Sequence, residues 1–255
     1  MANTVYENKV IEAKAKDLLL TALNARNYMT VDTTLAETAG MKKVINTYVY
    51  NGEAEELEAG EGNSNKGSIT FTPAEYVVKR VQQTFTYTDD DFMKDPTIVD
   101  NMLKGASQIM VNKMVADFKG ECAKASISAP YTALGYDAIV DGIAELNLED
   151  ESNVFTIIPN TEKKALRKDD DYKAARMGEV VYSGQVGTVC GIPVVASKAF
   201  DNPFVLTKEA VKLFMKKDIE VEQDRNIETK VNTVVLSTYY VCALVDATKI
   251  AKLSK

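Results

Sequence analysis

Two acidic triplets, Asp89-Asp90-Asp91 and Asp169-Asp170-Asp171, are the residues of this chain best suited to chemistry. Clustered carboxylates can hold Mg²⁺ or Ca²⁺ through oxygen ligands. Neither triplet has the D-x-[DN]-x-[DN]-G spacing of a calcium loop. The first lies where a strand pattern gives way to a helix pattern, and acids there suit a helix start. The second follows Lys163, Lys164, Arg167 and Lys168 and reads as a solvated turn. A third stretch, GEGNSNKGS at 60–68, shares only its composition with a phosphate loop. Such a loop needs G-x-x-x-x-G-K-[ST] leading into a helix, so that backbone N–H groups converge on phosphate. Here Lys66-Gly67-Ser68 leads into strand residues, with five glutamates before it. No catalytic, cofactor-binding or metal-ligating residue is assigned.

The sequence has no histidine and no tryptophan. It therefore lacks the usual general base near neutral pH, the usual zinc ligand and the usual partner of a catalytic Ser or Cys. A glycosidase-type carboxylate pair has no marked position, and no tryptophan is present to line a sugar cleft. Cys122, Cys190 and Cys242 are far apart without a CxxC, and are expected to be small buried thiols in a reducing compartment. The net charge of −7 opposes a surface that grips nucleic acid, which needs clustered Lys and Arg. The basic stretches KKALRK (163–168) and KEAVKLFMKK (208–217) alternate with apolar positions and read as ordinary helix surfaces. VYENKVIEAKAKD is charged where a signal peptide is apolar, and no apolar run reaches the roughly 18 residues of a membrane span. A cytosolic origin is expected.

The elements that must position any site come next. Residues 8–28 read as an amphipathic helix with Val10, Ile11, Leu18, Leu19, Ala22 and Leu23 on its apolar side. Nothing local completes a core with it, so it reads as an arm lying on something else. A strand is predicted over 42–50, and a second strand region runs from ITFTP through YVVKRVQQTFTYTDD. In the latter, Val77, Lys79, Val81, Gln83, Phe85 and Tyr87 share one face. Between the two lies NGEAEELEAGEGNSNKGS, 51–68, a connection far longer than the usual 4–6 residues or so. The pair forms an extended hairpin with its tip in water. A lone hairpin is marginal in water, so a partner surface from another chain is expected.

Residues 96–125 carry the longest helical pattern, with Ile98, Met102, Ala106, Ile109, Met110, Met114 and Phe118 on one face, Pro96 in the first turn and Asp95 as N-cap. The methionine stripe reads as core. Beyond it come a short helix at Tyr136–Leu146, a buried strand in NVFTIIPN, an interrupted charged helix over 161–177, and strand, turn at Gly191–Ile192–Pro193, and strand. NPFVLTKEAVKLFMKKD reads as a short strand followed by helix or loop, and the tail as antiparallel strands near 219–223, 228–236 and 239–245.

This order of parts resembles the major capsid proteins of tailed phages, with the Hong Kong 97-type fold that is also found in encapsulin shells. The stretch from YVYNGEAEELEAG to YTDDDF is similar to that family's extended loop, and DPTIVDNMLKGASQIMVNKMVADF to its spine helix. VGTVCGIPVVASKAF and the run after it are similar to the axial strand pair and the closing return of the chain. The resemblance implies an α+β fold divided as follows: an N-terminal arm at 1–40, the extended loop hairpin and returning strand at 41–88, a peripheral domain with the spine helix at 89–130, a mixed α/β axial domain at 131–218, and a return to peripheral strands at 219–255.

It implies a coat protein of a tailed phage or prophage, not an enzyme, that assembles as hexamers and pentamers into an icosahedral shell around double-stranded DNA. That shell would form in the host cytoplasm and end in the virion capsid. A scaffolding protein, a portal and a maturation protease are the implied partners, with no membrane and no sequence-specific DNA contact. No long scaffolding segment precedes the arm, so a separate scaffold or a removed prodomain is expected. Subunit contacts would come from the loop (Glu53, Glu55, Glu56, Glu58, Glu61, Lys66) and the arm (Val10, Leu18, Leu19). Some family members join loop to neighbour by a Lys–Asn isopeptide bond, for which Lys66 with Asn226 or Asn232 are the candidates. An encapsulin-like compartment is the alternative on the same fold. A carboxylate- or metal-dependent soluble enzyme is the alternative from another class.

Overall fold

The computed structural model describes residues 28–170 and 187–255. The arm residues Val10, Leu18 and Leu19, and most of the charged stretch after Asp170, lie outside the described residues. In chain order the elements are β1 (Thr30–Asp32), α1 (Thr34–Glu37), β2 (Lys42–Asn51), β3 (Ser68–Val77), β4 (Lys79–Thr88), α2 (Asp89–Lys94) and α3 (Ile98–Cys122). There follow β5 (Ile127–Pro130), α4 (Tyr136–Ala144), β6 (Val154–Pro159), α5 (Lys163–Lys168), β7 (Thr188–Val189) and β8 (Ile192–Ser197). The last are β9 (Phe204–Thr207), β10 (Val211–Asn226), β11 (Val231–Leu244) and β12 (Ile250–Ser254).

Three sheets organise them: a four-stranded sheet β1-β10-β11-β4, a six-stranded sheet β5-β12-β9-β6-β8-β7, and the two-stranded ribbon β2-β3. The 25-residue α3, about 38 Å long at 1.5 Å per residue, binds the first two together. Its first half packs Leu103, Ala106 and Met110 on Val221, Val234 and Leu236 of the four-stranded sheet. Its second half sends Val111, Met114, Val115 and Phe118 into a core shared with Phe155, Phe204, Leu206, Leu213 and Ile250. The other face of the six-stranded sheet is closed by α4 and α5 through Ile139, Ile143 and Leu166.

The helix begins later than its sequence pattern suggests. Thr97, not Asp95, is the N-cap, and Asp95 instead ends α2 while its carboxylate accepts from the N–H and hydroxyl of Thr97 at 2.9 and 2.6 Å. Ile109, expected on the buried face, is exposed, and Leu103, Val111 and Val115 are buried beside the expected set. The stripe is thus wider and rotated, because a sheet on one side and a second core on the other both draw on it.

Other differences share one cause. Residues 208–217, read as helix surface or loop, mostly form the start of β10, where Leu213, Phe214 and Met215 are buried consecutively. Leu213 and Met215 enter the core under α3, while Phe214 enters the opposite one with Leu35, Val78 and Ala243. A strand covered on both faces loses its alternation and cannot be told from a helix by period alone. Likewise, the expected break near 237–238 is absent. Buried Ser237 and Thr238 continue β11, and register shifts in the partner β10 absorb the irregularity. The turn starts at Asn226–Val231, so residues 228–230 are turn rather than strand. The β7–β8 turn is Cys190–Gly191, with φ of 51° and 80°; Ile192 and Pro193 already belong to β8.

The strands after the acidic loop are two, not one. At Val78, 3% exposed, the chain leaves the ribbon for the four-stranded sheet, where β4 pairs with β11 from Thr88↔Val231 to Lys79↔Tyr240. The expected boundary at 218/219 falls inside β10, and the final strand β12 joins the six-stranded sheet between β5 and β9.

Candidate functional site

The acidic triplets do structural work. Asp91 and Thr88 form a reciprocal capping box at the start of α2. These hydrogen bonds, chiefly from the Thr88 hydroxyl, hold the Asp91 carboxyl below the usual range. Asp89 accepts from Asn232 Nδ2 at 2.8 Å and pairs with Arg225, and these contacts lower its pKa in the same way. Asp169 is not a free turn residue: its carboxylate accepts the Tyr136 N–H at the start of α4. Of the three thiols, Cys122 and Cys242 are buried and Cys190 is exposed, correcting the expectation for the last. Burial pushes the Cys122 thiol well up and that of Cys242 to about 12, so neither is a nucleophile at neutral pH.

The hairpin is the unusual feature. β2 and β3 pair over ten residues, from Lys42↔Val77 to Asn51↔Ser68, which gives a ribbon about 34 Å long. Directly paired residues share a face. One face holds Lys43, Tyr76, Ile45 and Ala74; near the base, Tyr76 stacks on Phe214 at 5.5 Å and Ile45 packs with it against the molecule's own core. The opposite face holds Val77, Val44, Pro73, Phe71, Tyr50 and Ile69 and is bare, with Phe71 62% and Tyr50 60% exposed. A Lys42–Glu75 ion pair of 2.7 Å lies on this bare face. An apolar ribbon face that exposed marks an interaction surface.

The loop beyond the ribbon is ordered by its own contacts. Tyr50 closes the neck: a Cβ on Gly67 would lie 1.9 Å from the Tyr50 Oη, so only glycine fits there. Farther out, the Ser64 N–H and hydroxyl both donate to the Glu55 carboxylate, at 2.9 and 2.7 Å, and lower its pKa. Glu55 therefore acts within the loop, whereas Glu53, Glu56, Glu58, Glu61 and Lys66 are exposed. Leu57 stands exposed among these glutamates.

The structure does not bring Lys66 to either asparagine within one chain. Asn232 is buried, with its amide on Asp89, and the exposed Asn226 accepts from the N–H groups of Glu228 and Thr229. Sequence reasoning found the loop but missed the apolar ribbon face. The signal was there in the alternation of Val44 and Tyr50, and of Ile69, Phe71 and Pro73, but only the register shows that the two sets lie side by side. A second missed patch, Phe92, Met93 and Ile227, sits where α2 meets the β10–β11 turn.

No protein-family model matches the chain. Over 245 residues, 91% of this chain and 87% of the relative, it is 24% identical to the major capsid protein of Staphylococcus phage phiMR11. Among solved structures it matches the capsid of a native GTA particle with a TM-score of 0.74, at 12% identity over 90% of this chain and 89% of that one. It matches the mature capsid of bacteriophage PhiM1 with a TM-score of 0.70, at 11% identity over 90% and 86%. It matches a virus-like particle from Pyrococcus furiosus with a TM-score of 0.68, at 10% identity over 97% and 99%. By fold and by sequence likeness along nearly its whole length, the chain is a Hong Kong 97-type protein that groups with the major capsid proteins of tailed phages.

Proposed function

We propose that this chain is the major capsid protein of a tailed phage or prophage, a structural protein that assembles as hexamers and pentamers into an icosahedral shell around double-stranded DNA. The observation that carries the reading is the near full-length likeness to a phage coat protein on a capsid fold, together with a ribbon whose apolar face nothing in the chain covers. The same relative favours a phage shell over an encapsulin-like compartment. In this reading the four-stranded sheet with α3 is the peripheral domain, the six-stranded sheet with α4 and α5 is the axial domain, and the ribbon with its loop reaches across a neighbouring subunit. The arm, with Val10, Leu18 and Leu19, also lies on adjacent subunits. A scaffolding protein, a portal and a maturation protease act with it in the host cytoplasm, and the mature protein resides in the virion.

Negative-stain electron microscopy with sedimentation velocity, on the chain alone and with its scaffold, tests this. Closed shells, aberrant shells or capsomer rings are expected. A monomer that stays inert under both conditions overturns the reading. Of the two crosslink candidates, exposed Asn226 is the one a neighbour's Lys66 reaches. Peptide mapping of assembled particles for a Lys66–Asn226 linkage decides that point.

A further inference from the structure

Two glycines sit inside α3, Gly105 and Gly120, and a Cβ at either would meet nothing within 4 Å. Glycine weakens a helix interior relative to alanine. No contact inside the subunit requires it at these positions, so close approach of something outside would explain it. Gly105, Ile109, Asn112, Ala116 and Gly120 fall at spacings of four, three, four and four, forming a flat exposed stripe with Ile109 as its apolar centre. Exposed Lys104 and Lys113 flank it, and between Asn101 and Ala116 that exposed face carries no acid.

We infer that this stripe of α3 is where the bare apolar face of a second copy's ribbon lands, with Phe71 and Ile69 over Ile109 and the loop glutamates against Lys104 and Lys113. The inference rests on the ribbon acting between subunits and adds the surface it meets. Charge selects the surface. The other open face of the same body, the outer side of the four-stranded sheet, carries Glu220, Glu222 and Asp224, which repel a loop with five glutamates. The ribbon's own body cannot supply the contact, because its base is held by Tyr76 and Ile45 on the sheet face opposite α3. Each copy gives one ribbon and receives one, a head-to-tail arrangement that closes into rings.

The test places a photoreactive benzoylphenylalanine at Phe71 in assembled particles and maps its products by mass spectrometry. Products on residues 105–120 of another copy are expected. Products on another segment of another copy overturn the α3 site but leave the ribbon between subunits. Products confined to the same chain, or none, overturn both. A second variant, Gly105→Leu, guards against failed assembly of the first. It is expected to raise the monomer's Tm while reducing particle yield at least tenfold, and unchanged yield overturns the α3 site.

Discussion

The six-stranded sheet and the β2–β3 ribbon are both rich in strand-forming residues, yet they end in opposite states. All six residues of β6 are buried, with Phe155 and Ile157 facing α3 and Val154 and Ile158 facing α4 and α5. Six of the ten residues of β3 in a row are exposed, including Ile69 and Phe71. The sheet is finished within the chain, while the ribbon carries an apolar face that the chain does not cover. Burial within one subunit sets its stability, and the unburied remainder sets what it joins.

Deleting residues 53–65 gives the largest expected effect on that comparison: the monomer still unfolds cooperatively, and closed shells are lost entirely. Normal particles in electron micrographs of the deletion would break the argument. Next in size is Phe118→Ala, which empties a site 1% exposed where Phe118 meets Phe200 edge-on. Loss of about 3–5 kcal/mol in urea unfolding is expected. Its counterpart Phe71→Ser should shift monomer stability by no more than about 0.5 kcal/mol and still prevent assembly. A large destabilisation there would mean that the ribbon face is already buried in the free subunit.

The smallest effect concerns Asp89, which ties α2 to the β10–β11 end beside the Phe92, Met93 and Ile227 patch. Its pKa is lowered in the fold, first by Asn232 and then by Arg225. The contact therefore stabilises fully above the unfolded carboxylate value, about 3.9, and is lost as pH falls through the lower folded value. Asp89→Asn should lower the urea midpoint slightly at pH 7, with the difference from the parent shrinking below about pH 4. A constant difference across that range would assign its effect to packing instead of charge.

Much of this was legible in the residues. The α3 stripe, the six-residue apolar run of β6, the acid-capped start of α2 and the long glutamate-rich loop each follow from local period, capping chemistry and composition. So did the exclusion of histidine-based catalysis, and the order of parts carried the resemblance to a capsid fold. What the residues alone left open was every property that depends on a partner strand. The start of β10 hid its strand character because both of its faces are covered. The single run from Ser68 to Thr88 gave no sign of changing sheets at Val78, since both halves have the same β-branched texture. The bare ribbon face existed only once Tyr50 was set opposite Ile69. Local chemistry fixes what a segment can be, whereas its neighbours in space decide which of its faces water still touches.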